Sequence, residues 1–120
     1  MCDVRNVIFE REVQYQLAKL KRDLLLSQGE EKASGTIKYI LNALDNLGMF
    51  SSVGKNIRDT YNIDCPSNWF LLYVDKNYFV YSKTEKLITI LKMYSNKQDF
   101  IYDLFGIEMR SEESKKYWGD

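Results

Sequence analysis

Residues 76–105, KNYFVYSKTEKLITILKMYSNKQDFIYDLF, contain the pattern that decides the fold. Two runs rich in aromatic and β-branched residues, 78–83 and 87–94, are separated by the short polar segment 84–86. Such a connection favours an antiparallel hairpin. The polar run 96–99 carries Asn and Asp three residues apart, a spacing that resembles the capped start of a helix. The stretch therefore predicts a strand, a turn, a second strand and a C-terminal helix.

The segment before this hairpin predicts a third strand. Residues 69–74, WFLLYV, form an almost continuous apolar run, and Asp75-Lys76-Asn77 supplies a turn into the next strand. Because a short run so rich in aromatic residues is typical of a strand covered on both sides, we expect it to be buried on both faces. The three strands together form a meander.

The N-terminal half predicts a strand at 4–9 followed by two helices. The first helix begins at Glu10 and ends near Gly29, and the second runs over 34–47 and ends at Gly48. Apolar residues recur at helical spacing in both: Val13, Leu17, Leu20, Leu24, Ile37, Ile40, Leu41, Leu44 and Leu47. Two helices with a short connection form an antiparallel hairpin, and the apolar stripes indicate that both cover a sheet.

The order of elements is β-α-α-β-β-β-α, an α+β fold with an N-terminal helical hairpin packed on a small antiparallel sheet and a short C-terminal helix. Its length fits one domain over residues 1–107, followed by a charged, flexible tail at 108–120. Residues 49–66 are expected to be irregular, with Arg58 on a loop.

Composition excludes several classes of function. The chain contains no His, so histidine triads and histidine metal sites are excluded, and proton transfer would have to use Lys, Tyr, Asp, Glu or Cys. Seventeen basic residues balance seventeen acidic ones, which disfavours strong nonspecific binding to nucleic acid. Acidic residues show no ligand spacing, so no metal or cofactor is expected. The two cysteines show no CxxC spacing, and neither a signal peptide nor a long apolar run is present, which predicts a cytoplasmic protein without a membrane segment.

A possible site lies at one edge of the predicted hairpin. Adjacent strands and the following helix start would hold Lys83, Lys92 and Lys97 close to Tyr94 and Tyr102. Cations and phenols in one cluster could bind a phosphodiester, stabilise charge on phosphorus and stack on unpaired bases. Each lysine alone also fits a solvated residue that protects a sheet edge.

Three pieces of the C-terminal half occur in a distinctive order: NYFVYSK at 77–83, KMYSNKQDF at 92–100 and LF at 104–105. This sequence pattern resembles that of the RelE/ParE superfamily of toxins from type II toxin–antitoxin systems. A common pattern there is Asn-Tyr-x-x-Phe-Tyr-Arg, then Arg-x-x-His-x-Arg-Gln-Asp-Tyr, then Leu-Phe. The present chain has Lys where many members have Arg, and Ser95 where many have His.

The resemblance implies a ribosome-dependent mRNA endonuclease that works without a metal and is neutralised by a cognate antitoxin. It implies catalytic roles for Lys83, Lys97 and Tyr102. It implies substrate contacts by Arg58, Lys92, Tyr94 and Ser95.

Two other functions fit the same resemblance. Members that inhibit DNA gyrase lack the nuclease residues and act by occlusion, and an inactive or repurposed member would serve only in assembly. The missing His and the neutral charge favour these binding functions, whereas the lysine replacements and Tyr102 favour the nuclease.

Overall fold

A computed structural model describes residues 5–62, 65–95 and 103. Five strands and three helices occur in these residues, together with a 3-10 turn at Asn46–Gly48. In chain order they are β1 (Asn6–Phe9), α1 (Arg11–Gln28), α2 (Glu30–Asp45), β2 (Lys55–Asn56), α3 (Ile57–Tyr61), β3 (Trp69–Val74), β4 (Asn77–Lys83) and β5 (Leu87–Tyr94).

The strands form one sheet in the order β1-β5-β4-β3-β2. Strands β2 to β5 pair antiparallel through the predicted meander, while β1 pairs parallel with β5, with Asn6 opposite Leu87 and Phe9 opposite Ile90. The α+β class and the helical hairpin on a sheet are confirmed. The parallel β1–β5 pair makes the sheet mixed, and the expected antiparallel sheet is its β2–β5 part.

The helical hairpin covers one face of the sheet. Its buried stripe packs against the inward side chains of β4 and β5 in one apolar core, whose fully buried members are Val13, Ile40, Leu44, Phe79, Tyr81, Ile88 and Ile90. Removing these side chains from water is the main stabilising contribution to the fold.

Helix α2 begins at Glu30, four residues before the predicted start at Ser34. Gly29 alone connects the two helices, with φ of 90°, a value that suits glycine because it has no Cβ. Glu30 and Glu31 then lie in the first turn of α2, where negative charge is stabilised by the helix dipole.

Strand β3 is not buried on both faces as predicted. Only Leu71 and Val74 are buried in this strand, and Tyr73 is 57% exposed. Strand β2 pairs only with Phe70 and Leu71, so β3 lies near the margin of the sheet instead of at its centre. An apolar run reports hydrophobicity but not the position of a strand within a sheet.

The segment 49–66 is more regular than predicted, because it contains β2 and α3. Asn56 caps α3 by accepting a hydrogen bond from the Asp59 N–H at 2.9 Å. Ile57 is fully buried against Leu71 and Val80, on the sheet face opposite the helical hairpin. A second, smaller core therefore lies on that face.

The predicted C-terminal helix and the tail at 108–120 lie outside the described residues, apart from Asp103. In the part of the chain that is described, the helices are too short or too polar to cross a membrane.

Candidate functional site

A bulge in β5 decides which side chains can meet. Val80 of β4 lies opposite Lys92, but the next residue, Tyr81, lies opposite Ile90, so Leu91 is an extra residue in β5. Before the bulge, the side chain of Ile90 lies in the core under the helical hairpin. After the bulge, Lys92 lies directly opposite Val80, and directly opposed residues project from the same face of a sheet. The side chain of Val80 belongs to the core under α3. Lys92 therefore projects from the α3 face of the sheet.

Lys92 and Tyr94 converge on one carboxylate. Lys92 Nζ lies 3.1 Å from Asp103 Oδ2. The Tyr94 hydroxyl donates a hydrogen bond to the same oxygen. The side chains of Lys92 and Asp103 are 40% and 49% exposed, so this contact is accessible to solvent.

These contacts bias the protonation states at the site. The hydrogen bond from Tyr94 and the neighbouring Lys92 hold the pKa of Asp103 below its ordinary value. Burial and the Asp103 carboxylate raise the pKa of the Tyr94 phenol, with a smaller contribution from Glu12. Tyr94 is therefore a hydrogen-bond donor at neutral pH, and Asp103 is an anion.

A small polar pocket of about 130 Å³ opens beside this contact. It is lined by Glu12, Gln16, Lys92, Met93, Tyr94, Ser95 and Asp103. Helix α1 forms the opposite wall and is held to β5 by the Gln16 side chain, whose Nε2 donates to the Met93 carbonyl at 3.1 Å. The site thus combines β5, the first turns of α1 and Asp103.

Lys83 does not join this pocket. It lies on the same face of β4 as Phe79 and Tyr81, because side chains alternate along a strand, and its Nζ is 5.4 Å from the centre of the Phe70 ring. Its position is also three residues from Val80, the partner of Lys92, which is about 10 Å along the strand. The predicted neighbours Lys83 and Lys92 are therefore on opposite faces of the sheet.

The other predicted site residues divide into three groups. Ser95 lines the pocket with Lys92 and Tyr94, as expected for one cluster. Arg58 is exposed on α3 and not on a loop, on the face of the sheet from which Lys92 projects. Lys97 and Tyr102 lie outside the described residues.

The arrangement of these groups suits binding of an anionic oxygen. An ammonium group and a phenol donate to one point, and the raised pKa of the Tyr94 phenol keeps it a donor near neutral pH. A metal site is a poorer fit: no three or more acidic or cysteine residues are grouped at bonding range in the described ranges.

Sequence reasoning missed three residues of this site: Asp103, Glu12 and Gln16. Asp103 had a detectable signal, because it is the only acidic residue in the otherwise apolar and aromatic run 100–107. Glu12 and Gln16 had none, since their role depends on α1 lying against the C-terminal end of β5.

Comparisons with known proteins show the fold. No protein-family model matches the chain, and no curated protein sequence matches it. Among solved structures, the chain is similar to a protein described as belonging to the chromosomal ParDE TA system of P. aeruginosa, with a TM-score of 0.64 and 15% sequence identity. The match covers 79% of this chain and 99% of that one. The chain therefore shares its fold with a component of a toxin–antitoxin (TA) system.

Proposed function

We propose that this chain is the toxin of a type II toxin–antitoxin system and that a cognate antitoxin neutralises it. The observation that carries the proposal is the fold similarity to the ParDE chain, which spans nearly all of that protein. The sequence pattern at 77–105 supports it independently, because it resembles the RelE/ParE superfamily at the residues that build β4 and β5.

As its mode of action, we propose metal-independent cleavage of mRNA in the ribosome. The pocket beside Lys92, Tyr94 and Ser95 supports this mode, because two donors there already meet an anionic oxygen. Lys92 would stabilise charge on the scissile phosphate, and Tyr94 would donate a hydrogen bond to it. In this scheme Lys97 and Tyr102 supply the proton transfers, and Arg58 contacts the RNA from the same side.

A second mode is occlusion of a protein target such as DNA gyrase, without chemistry. The observation that favours it is the position of Lys83 on the opposite face of the sheet, over Phe70. With Lys83 removed from the cluster and no His in the chain, the described part of the pocket has one cation, Lys92, to stabilise charge.

One expression experiment separates these modes. The wild type, Lys92→Met and a matched control, Lys38→Met on the exposed face of α2, are induced in bacteria, and growth and the 5′ ends of messages are measured. We expect growth arrest with new message ends for the wild type and the control. For Lys92→Met we expect a cleavage rate lower by a factor of about 10²–10³, the usual effect of removing one donor that stabilises transition-state charge.

The other outcomes are equally informative. Arrest without new ends, with loss of DNA supercoiling by purified gyrase, would support occlusion and rule out the nuclease. No arrest by the wild type, in the absence of any antitoxin, would contradict the toxin proposal itself.

A further inference from the structure

Resting on the RNA-directed mode proposed above, we infer that Lys92 and Tyr94 form a binding site for a phosphate group, and that the Asp103 carboxylate occupies this site until a ligand displaces it. Asp103 then competes with the external anion for the two donors. No role for this residue follows from the sequence pattern.

The first support is the geometry of the contact. Lys92 Nζ and the Tyr94 hydroxyl both donate to Oδ2 of Asp103, so two donors from one strand point at a single anionic oxygen. A phosphate oxygen carries similar charge and accepts the same hydrogen bonds. The donors need no rearrangement to accept a phosphate in place of the carboxylate.

The second support is that the contact can open. Lys92 and Asp103 are 40% and 49% exposed, and ion pairs with such exposure contribute little to stability because water screens them. An external anion therefore competes with a weak internal one, and exchange does not require unfolding of either core.

The third support is the space beside the contact. The pocket has a volume of about 130 Å³, whereas one water occupies about 30 Å³ in the liquid. This leaves room for a group larger than water next to Lys92, and the Ser95 side chain lines the same space. The space is therefore large enough for a phosphate group beside the two donors.

Glu12 sets a limit on the affinity. It lines the same pocket and raises the pKa of Tyr94 through its charge, so it also repels an incoming anion. It therefore offers a matched control: Glu12→Gln and Asp103→Asn each remove one negative charge from the pocket, but only Asp103 accepts hydrogen bonds from Lys92 and Tyr94.

The test is titration of the full chain with inorganic phosphate at constant pH and ionic strength, followed by NMR shifts of the backbone amides of residues 92–95. We expect Asp103→Asn to bind phosphate about 2- to 5-fold more tightly than the wild type, the range that loss of an exposed ion pair allows. Glu12→Gln should give a smaller gain. Adding Lys92→Met to Asp103→Asn should abolish the gain.

Three results would overturn the inference: equal gains from Asp103→Asn and Glu12→Gln, a gain that survives Lys92→Met, or acetate binding as tightly as phosphate. The last would indicate a site for a carboxylate of a protein partner. Because phosphate binding is measured without any growth assay, its failure is distinct from failure of the toxin proposal, which the growth experiment decides.

Discussion

At the scale of single residues, Tyr81 is the side chain on which the centre of the fold depends. It is fully buried, and its hydroxyl donates to the Ser51 carbonyl at 2.9 Å and accepts from the Gly54 N–H at 3.0 Å. A Cβ on residue 54 would lie 2.5 Å from that hydroxyl, which explains why glycine is required there. Tyr81 thus holds the loop after α2 to the sheet.

The first prediction concerns Tyr81→Phe. The substitution keeps the ring but leaves the Ser51 carbonyl and the Gly54 N–H without this partner, so the free energy of unfolding should fall by about 1–3 kcal/mol. Urea denaturation followed by circular dichroism measures the change. The control is Tyr15→Phe, at a side chain that is 68% exposed, where the change should stay within about 0.5 kcal/mol. Equal effects at the two positions would contradict the role given to the hydroxyl.

At the scale of elements, the β3–β4 hairpin shows how local chemistry selects a turn. Asp75 and Lys76 both have positive φ, 46° and 70°, which is typical of the two-residue turn whose twist matches the strands. Asn77 begins β4 and donates from its side chain to the Asp75 carbonyl at 2.9 Å. The predicted turn at 75–77 is correct in place and one residue too long.

The second prediction concerns Lys76→Gly. Glycine adopts positive φ without the Cβ penalty, so the free energy of unfolding should rise by about 0.5–1 kcal/mol after allowance for the extra flexibility of the unfolded chain. Glu85→Gly in the β4–β5 turn is the control. Residue 85 does not have positive φ, so glycine should destabilise the protein there. Thermal unfolding of both variants gives the comparison, and a loss of stability in Lys76→Gly would refute the argument.

The bulge in β5 shows how one inserted residue changes the face of a sheet from which later side chains project. The run 87–94 was correctly predicted as a strand, but its alternation suggests no irregularity at Leu91. The insertion turns Lys92 towards the α3 face, where it reaches Asp103, and separates it from Lys83. The extra residue therefore places Lys92 on the opposite face of the sheet from Lys83, although the two had been expected to lie together.

At the scale of the whole molecule, two apolar cores share one sheet, and each contains or borders a tyrosine with a perturbed pKa. Burial raises the pKa of Tyr81 above its ordinary value of 10.0, within the core under the helical hairpin. Burial and Asp103 raise the pKa of Tyr94, which packs beside the core under α3. Near pH 10 and above, the folded chain thus retains two phenolic protons that the unfolded chain releases.

The third prediction follows from the sign of these shifts. A raised folded-state pKa gives stability that is present below pH 10 and is lost as the pH rises further, because only the unfolded state gains by releasing the proton. The free energy of unfolding should therefore fall between pH 9 and pH 11. Urea denaturation across that range tests this, and Tyr81→Phe should show a shallower fall than the wild type. Identical slopes would mean that Tyr81 does not contribute.

The sequence by itself determined the helical hairpin after β1, the succession β3-β4-β5 and the bounds of β4 and β5 to within a residue, because periodicity and turn chemistry act over a few neighbouring residues. The tertiary structure alone decided the parallel pairing of β1 with β5, the face from which each lysine projects and the meeting of Lys92, Tyr94 and Asp103. These features depend on strand register and on contacts between residues distant in the chain, and no local pattern encodes either.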